Sequence, residues 1–106
     1  MRYAVAFDPL AEADLQQIYL YLADVAGHQV ARTYVDHIID YCEEFKTFPE
    51  RGRSHDHLRP GLRTVGFKRK ATIAFLIGAG NVTILRVFHH GRNVVLDDDA
   101  DALGNP

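Results

Sequence analysis

The sequence predicts an α+β domain in which a hairpin of two helices packs on one face of a small antiparallel sheet. The first half of the chain repeats apolar residues at steps of three and four, a spacing typical of amphipathic helices. The second half contains three short runs rich in β-branched and aromatic residues, separated by turn-forming residues. Because the hairpin and the sheet each carry an apolar surface, packing them together buries both. The predicted order is β-α-α-β-β-β.

The first strand and both helices are predicted before residue 49. Residues 2–7 are mostly apolar and form the strand. Asp8 and Pro9 begin a helix, since Asp caps free N–H groups and Pro is tolerated at the first helical position. Gly27 ends this helix, and the turn to the next helix is so short that the two are expected to lie nearly antiparallel. The expected buried stripes are Ala11, Leu15, Ile18, Leu22 and Val25, then Ala31, Tyr34, Ile38, Tyr41, Cys42 and Phe45.

Three further strands follow a polar loop. The loop, residues 49–61, contains two prolines and two glycines. The strands are predicted at about 62–67, 71–77 and 82–89. "KRK" joins the first pair, and "GAGN" joins the second pair with glycines that favour a tight hairpin. We expect one domain over residues 1–96 and a loose acidic tail over residues 97–106.

Composition restricts the class of protein. The 106 residues are 47% apolar, which suits a single globular domain. No apolar run approaches the roughly 20 residues of a membrane-spanning helix, and the first residues lack the apolar segment of a secretory signal. Cys42 is the single cysteine and has no partner for an internal disulfide. We therefore expect a cytoplasmic protein that does not contact a membrane.

The positive charges are unevenly placed along the chain. Ten of the 12 Lys and Arg residues lie between Lys46 and Arg92, and only Glu50 and Asp56 oppose them there. This layout predicts a basic region that faces an acidic partner, although scattered solvated charge explains the composition as well.

Four segments resemble a known family: "DPLAEADLQQIYLYLA", "FPERG", "LRPGLR" and "ILRVFHHGRN". Together they are similar to the ParE toxins of the RelE/ParE toxin superfamily, over residues 3–95. The resemblance implies a toxin that inhibits DNA gyrase and requires no cofactor. It also implies a cognate ParD-like antitoxin, whose acidic C-terminal segment wraps the toxin and whose N-terminal part binds operator DNA. RelE-type relatives instead cut messenger RNA on the ribosome.

Six cations are the predicted residues for binding the target or the antitoxin: Arg63, Lys68, Arg69, Lys70, Arg86 and Arg92. Period-two alternation places Arg86 on one face with Val82, Ile84 and Phe88, so it is expected to pair with a carboxylate or to lie at the rim of the sheet. Arg92 follows Gly91, where the backbone is free to turn and present the guanidinium. Residues 68–70 are equally well explained as a solvated hairpin turn.

Catalysis is less well supported by the residues. Cleavage of RNA through its own 2′-hydroxyl needs a base, an acid and cations for the phosphate. RelE-type nucleases often carry a Tyr or His near the C-terminus, and none of the five tyrosines of this chain lies after residue 41. His89 or His90, with Arg92, remains an alternative catalytic set, although alternation sends the two histidines to opposite faces.

The histidines do not predict a metal site, and three functions remain open. His55 and His57 with His89 and His90 do not match the spacing of a zinc site, so no metal is predicted. The preferred function is a non-enzymatic gyrase inhibitor held inactive by an antitoxin. A ribosome-dependent endoribonuclease, and a homologue that binds an antitoxin but is inactive, both remain open.

Overall fold

The computed structural model describes residues 2–90 and confirms the α+β class with a helical hairpin on a sheet. The helices are α1 (Pro9–Ala26) and α2 (His28–Glu43), and a single 3-10 turn follows at Glu44–Lys46. The strands are β1 (Ala4–Phe7), β2 (Arg53–Ser54), β3 (Leu62–Phe67), β4 (Ala71–Ile77) and β5 (Asn81–His89). Within residues 2–90, no helix is both long and apolar enough to span a membrane. The tail predicted at residues 97–106 lies outside the described residues.

The strands form one sheet in the order β1-β5-β4-β3-β2. The pairs β2–β3, β3–β4 and β4–β5 are antiparallel. The pair β1–β5 is parallel, so the sheet is mixed. Tight turns force antiparallel pairing, whereas β1 reaches β5 only through the helices and the other strands, so no turn sets its direction. An additional strand, β2, lies inside the predicted loop 49–61 and pairs with β3 through Arg53↔Thr64 and Ser54↔Arg63.

Local chemistry sets the ends of the helices. The Asp8 side chain accepts a hydrogen bond from the N–H of Leu10 at 2.9 Å, as the capping prediction requires. Gly27 alone connects α1 to α2, with φ 97° and ψ 160°. This backbone conformation is essentially restricted to glycine, and it allows the chain to reverse within one residue.

The core lies between the helical hairpin and one face of the sheet. Its largest fully buried side chains include Phe45, Phe75, Ile18 and Ile38. The predicted stripe of α2 is confirmed, with Tyr34 and Tyr41 half-buried against the core. The predicted stripe of α1 is confirmed except for Val25, which is 59% exposed in the last turn of the helix.

A β-bulge changes which side chains of β5 face the core. Ala74 pairs with Arg86, but the next residue, Phe75, pairs with Ile84, so Leu85 has no direct partner on β4. Val82 and Ile84 are buried before the bulge, and Val87 and His89 are buried after it. The prediction that Arg86 shares a face with Val82 and Ile84 is therefore wrong, because strict alternation does not hold through the extra residue. Arg86 does share a face with Phe88.

Gly52 provides a test of how β2 is held on the sheet. A Cβ at Gly52 would overlap the carbonyl oxygen of Thr64 and lie 2.8 Å from the Cβ of Val65, whereas a Cβ at Gly80 would meet open space. Both glycines have positive φ, 67° and 80°. Gly80→Ala should therefore lower the free energy of unfolding by about 1–2 kcal/mol, from backbone strain alone. Gly52→Ala should lower it by about 1–3 kcal/mol more, because the added methyl group overpacks the site. Urea unfolding of both variants checks this, and equal midpoints would contradict close packing at Gly52.

Candidate functional site

Arg63 lies on the side of β3 that faces the helices. It pairs across the sheet with Phe75, a fully buried core residue. The half-buried Arg63 side chain donates from Nε to the backbone carbonyl of Arg51 at 2.8 Å. Arg51 forms an ion pair with Glu44 at 3.1 Å and stacks over the rings of Tyr41 and Phe45. Arg63 therefore holds the segment before β2 against the sheet through a hydrogen bond to Arg51. Its role in binding a partner stays a prediction.

Arg86 pairs with a carboxylate, which was one of the two expectations from the sequence. Its Nε and Nη2 atoms donate to the two carboxylate oxygens of Asp14 on α1, at 2.8 and 3.0 Å. The same carboxylate accepts the backbone N–H of Val87 at 2.9 Å. The hydrogen bond from Asp14 raises the pKa of the Arg86 guanidinium, against the lowering effect of burial. Arg86 is therefore engaged in joining α1 to β5.

Lys68, Arg69 and Lys70, here called the basic turn, connect β3 to β4 and are exposed. The N–H of Lys70 donates to the carbonyl of Phe67 at 3.1 Å, and Lys68 and Arg69 both have positive φ, 49° and 60°. Two central residues with positive φ define a type I′ turn, which favours Asn-Gly. Lys and Arg in this left-handed region cost about 1–2 kcal/mol each. The structure thus keeps two long cations in positions that suit smaller residues.

The predicted cations do not converge on one site. Arg63 is five residue steps of extended strand from Lys68, the start of the basic turn, which is about 17 Å. Arg86 pairs with Ala74, which alternates with the core residues of β4, so Arg86 and Arg63 project from opposite faces of the sheet. Arg92 lies outside the described residues. Residues 2–90 therefore place these cations at three separate locations.

His89 lies in an aromatic cluster beneath the helices. It is 6% exposed, and its ring centroid is 5.5 Å from that of Tyr34 and 6.0 Å from that of Tyr21. The Tyr34 hydroxyl is also buried, and burial raises the pKa of Tyr34 to about 12. A buried imidazole beside a phenol that holds its proton is poorly placed to exchange protons with a bound RNA.

His90 lies on the other face of the sheet. Its Nε2 is hydrogen-bonded to the Oγ1 of Thr72 at 2.7 Å, and its backbone N–H donates to the carbonyl of Lys70 at 2.7 Å. The prediction that His89 and His90 occupy opposite faces is confirmed by these partners. Both histidines lie near the basic turn along the backbone, since His89 pairs with Ala71 and His90 is hydrogen-bonded to Lys70. The His89 side chain, however, lies under the helices, and the His90 side chain lies on the other face.

The two histidines of the loop before β3 contact other residues of the domain. His55 is 6% exposed, and its Nε2 is hydrogen-bonded to the Oγ1 of Thr64 at 2.9 Å. Its ring centroid is 6.0 Å from that of His57. Among residues 2–90, no group of three or more His, Cys, Asp or Glu side chains is arranged to hold a metal ion.

Three contacts of the candidate site residues were missed by the sequence analysis. Asp14 occupies the apolar stripe of α1 between Ala11 and Ile18, and a charged residue in such a stripe indicates a buried partner. Tyr34 was expected in the buried stripe of α2, but its contact with His89, like that of Tyr21, was not predicted. No local pattern predicts that contact, because it depends on how the hairpin is seated on the sheet.

Comparison with known sequences places the chain near one family. Residues 5–94 match the family model described as the ParE toxin of the type II toxin–antitoxin system, parDE. Toxin ParE1 of Mycobacterium tuberculosis is 27% identical over 86 residues, which cover 81% of this chain and 88% of that protein. Toxin ParE3 of Caulobacter vibrioides is 28% identical over 81 residues, 76% of this chain and 80% of that protein.

Two solved structures share the fold. A chain of the chromosomal ParDE toxin–antitoxin system from P. aeruginosa superposes with a TM-score of 0.72 at 22% identity, covering 83% of this chain and 96% of that one. A chain of the RelBE2 toxin–antitoxin complex from Mycobacterium tuberculosis superposes with a TM-score of 0.61 at 17% identity, covering 84% and 92%. At these identities the similarity establishes the architecture alone.

Asp14→Ala tests whether this carboxylate joins the helices to the sheet. The substitution leaves the Arg86 guanidinium without its carboxylate and removes the acceptor for the Val87 N–H. We expect a loss of about 1–3 kcal/mol in the free energy of unfolding, measured with urea. Asp14→Asn keeps one acceptor oxygen without the charge and should lose less.

The matched control for this experiment is Asp24→Ala in the same helix. Asp24 is exposed, so its replacement should change stability by no more than about 0.5 kcal/mol. If Asp14→Ala and Asp24→Ala unfold at the same urea concentration, the Asp14 contacts do not stabilise the fold.

Cys42 provides a test by pH. Burial, and then the charge of Glu43, raise the pKa of the Cys42 thiol from 9.0 to about 12, so the thiol is a poor nucleophile at neutral pH. The folded state therefore binds more protons than the unfolded state between pH 9 and 12, and stability should be complete below pH 9 and fall as pH rises. Between pH 9 and 10, Cys42→Ala should lose stability less steeply than the unmodified protein, by about 1 kcal/mol per pH unit. Parallel pH profiles would contradict a protonated, buried thiol.

Proposed function

The chain belongs to the ParE toxin family of type II toxin–antitoxin systems, and from this premise we propose that it inhibits DNA gyrase and is neutralised by a ParD-like antitoxin. The family match covers residues 5–94, which include both helices and every strand residue except Ala4. The ParDE neighbour has the same architecture over 83% of this chain, which is consistent with an antitoxin of the ParD type.

The positions of the two histidines are the observation that supports a toxin without catalytic activity. His89 is buried against Tyr34 beneath the helices, and His90 is hydrogen-bonded to Thr72 on the opposite face. An RNA bound at either face would therefore meet at most one of these imidazoles. The arginines that would bind phosphate are also separated, because Arg86 is paired with Asp14 and Arg63 projects from the other face.

The helical hairpin offers the surface that we assign to the antitoxin. Several large apolar side chains on α1 and α2 are more than half exposed: Leu10, Leu20, Val25 and Val30. Exposed apolar groups on a helical surface suit an amphipathic helix that covers them. An antitoxin that contributes such a helix and an acidic segment would engage both the hairpin and the cations.

Gyrase supercoiling of relaxed plasmid tests the proposed target. Purified toxin at micromolar concentration should inhibit supercoiling, and prior mixing with a cognate ParD-like antitoxin should restore activity. Arg92→Ala should require about tenfold more toxin for the same inhibition, since a charged hydrogen bond contributes about that factor. The matched control is Arg32→Ala, whose side chain is 81% exposed and lies 4.0 Å from Asp36 on the same helix. It should inhibit like the unmodified toxin.

A parallel measurement on RNA separates the proposal from the ribonuclease alternative. Ribosomes translating a defined message are incubated with toxin, and the message is mapped for cleavage. The proposal expects intact RNA. Cleavage that disappears in His89→Ala or His90→Ala would replace it with RelE-type chemistry, and a toxin that neither cuts RNA nor inhibits gyrase would contradict the proposed target.

A further inference from the structure

The helical hairpin contains a groove that the proposed function does not use. The hairpin groove has a volume of about 570 Å³ and is lined by one residue of α1 and five residues of α2: Tyr19, His28, Gln29, Arg32, Thr33 and Asp36. Sites for small ligands have volumes of about 300–1,000 Å³. Every lining side chain carries a hydrogen-bonding group, so the groove suits a polar ligand.

The period of the helix brings the α2 residues of the groove together. His28, Arg32 and Asp36 are spaced by four residues and therefore form one row along α2. Gln29 and Thr33 form the row beside it. All five side chains are exposed, so they are accessible to a ligand and are not part of the core.

Tyr19 of α1 holds the imidazole of His28 in one orientation. The Tyr19 hydroxyl lies 3.0 Å from the Nδ1 of His28, within hydrogen-bond distance, and the two ring centroids are 6.1 Å apart. Within residues 2–90, the Nε2 of the same ring has no hydrogen-bond partner. When the hydroxyl donates to Nδ1, the proton of the neutral ring is on Nε2, which is then a donor for a ligand.

Arg32 is the cation of the groove and is only weakly engaged. Its side chain is 81% exposed, and its Nε atom lies 4.0 Å from a carboxylate oxygen of Asp36. An exposed ion pair at this distance contributes little to stability. The guanidinium can therefore turn from Asp36 to a ligand at low cost, and its planar set of donors matches the oxygens of a phosphate.

We propose that the hairpin groove binds a phosphorylated sugar. Arg32, the Nε2 of His28 and the amide of Gln29 donate to the phosphate, which has three strong acceptor oxygens. Asp36, as a carboxylate, only accepts hydrogen bonds, so it receives a hydroxyl of the sugar. This inference goes beyond the proposed function, and it depends neither on gyrase nor on an antitoxin.

An NMR titration of the full chain with ribose 5-phosphate tests the proposal. At constant ionic strength, the ring resonances of His28 and the Nε–H resonance of Arg32 should shift together and saturate. We expect a Kd on the order of 1 mM, because the donors are exposed and few. Inorganic phosphate should bind about tenfold more weakly, since it lacks the hydroxyl that bonds to the charged Asp36.

Two substitutions separate the roles of the charged residues. Arg32→Gln should weaken the binding of both ligands at least about tenfold, because it removes a charged donor. Asp36→Asn should remove most of the preference for ribose 5-phosphate over inorganic phosphate. The matched control is Arg53→Gln, which removes an exposed arginine of β2 that does not line the groove, and it should bind both ligands like the unmodified protein.

Three results would overturn the proposal. One is the absence of a saturable shift at His28 and Arg32 in the unmodified protein. Another is an equal loss of affinity in Arg32→Gln and Arg53→Gln, which would indicate a general attraction of anions to the protein. The third is equal affinity of the unmodified protein for ribose 5-phosphate and inorganic phosphate, which would exclude recognition of the sugar.

Discussion

The carboxylate of Asp14 is the contact on which the arrangement of helices and sheet depends. β1 pairs with β5 only as far as Phe7↔Ile84, and beyond that point the edge of β5 has no strand beside it on this side within residues 2–90. Asp14 reaches this edge from α1, accepts the N–H of Val87 and pairs with the guanidinium of Arg86. One side chain thus satisfies a backbone donor that would be costly to leave unpaired and fixes the helical hairpin on the sheet.

Contacts within the domain limit which of the predicted cations are available to a partner. Arg86 is engaged by Asp14, and Arg63 is engaged by the backbone of Arg51, so both contribute first to the stability of the domain. The basic turn is different, since its three side chains extend from the end of a hairpin and its backbone is strained. Among the described residues of the predicted cationic set, the turn is therefore the part that neither Asp14 nor the backbone of Arg51 engages. Cleavage of RNA would need cations and proton-transfer groups gathered around one phosphate, whereas Arg63, Arg86 and the basic turn lie at separate locations.

Much of the fold follows from local patterns in the sequence, and the exceptions have physical causes. The helix start at Asp8, the reversal at Gly27 and the stripe of α2 were predicted because capping, backbone freedom and apolar spacing act over a few residues. The direction of β1, the pairing of β2 and the bulge opposite Ala74 were not predicted, since each depends on contacts between distant parts of the chain. For the site, the ion pair of Arg86 was anticipated but not its partner. The cluster of Tyr21, Tyr34 and His89 was missed for the same reason.

The bulge in β5 also bears on how relatives of this chain are aligned. The extra residue, Leu85, shifts the inward and outward positions of every residue that follows it in the strand. A relative whose strand is regular would reach the equivalent of His89 with one residue fewer. An ungapped alignment would then equate a histidine under the helices with one on the outer surface. For a relative with a regular strand, matching the histidines at this strand end requires a one-residue gap placed at Leu85. Without that gap, the matched side chains lie on opposite faces of the sheet.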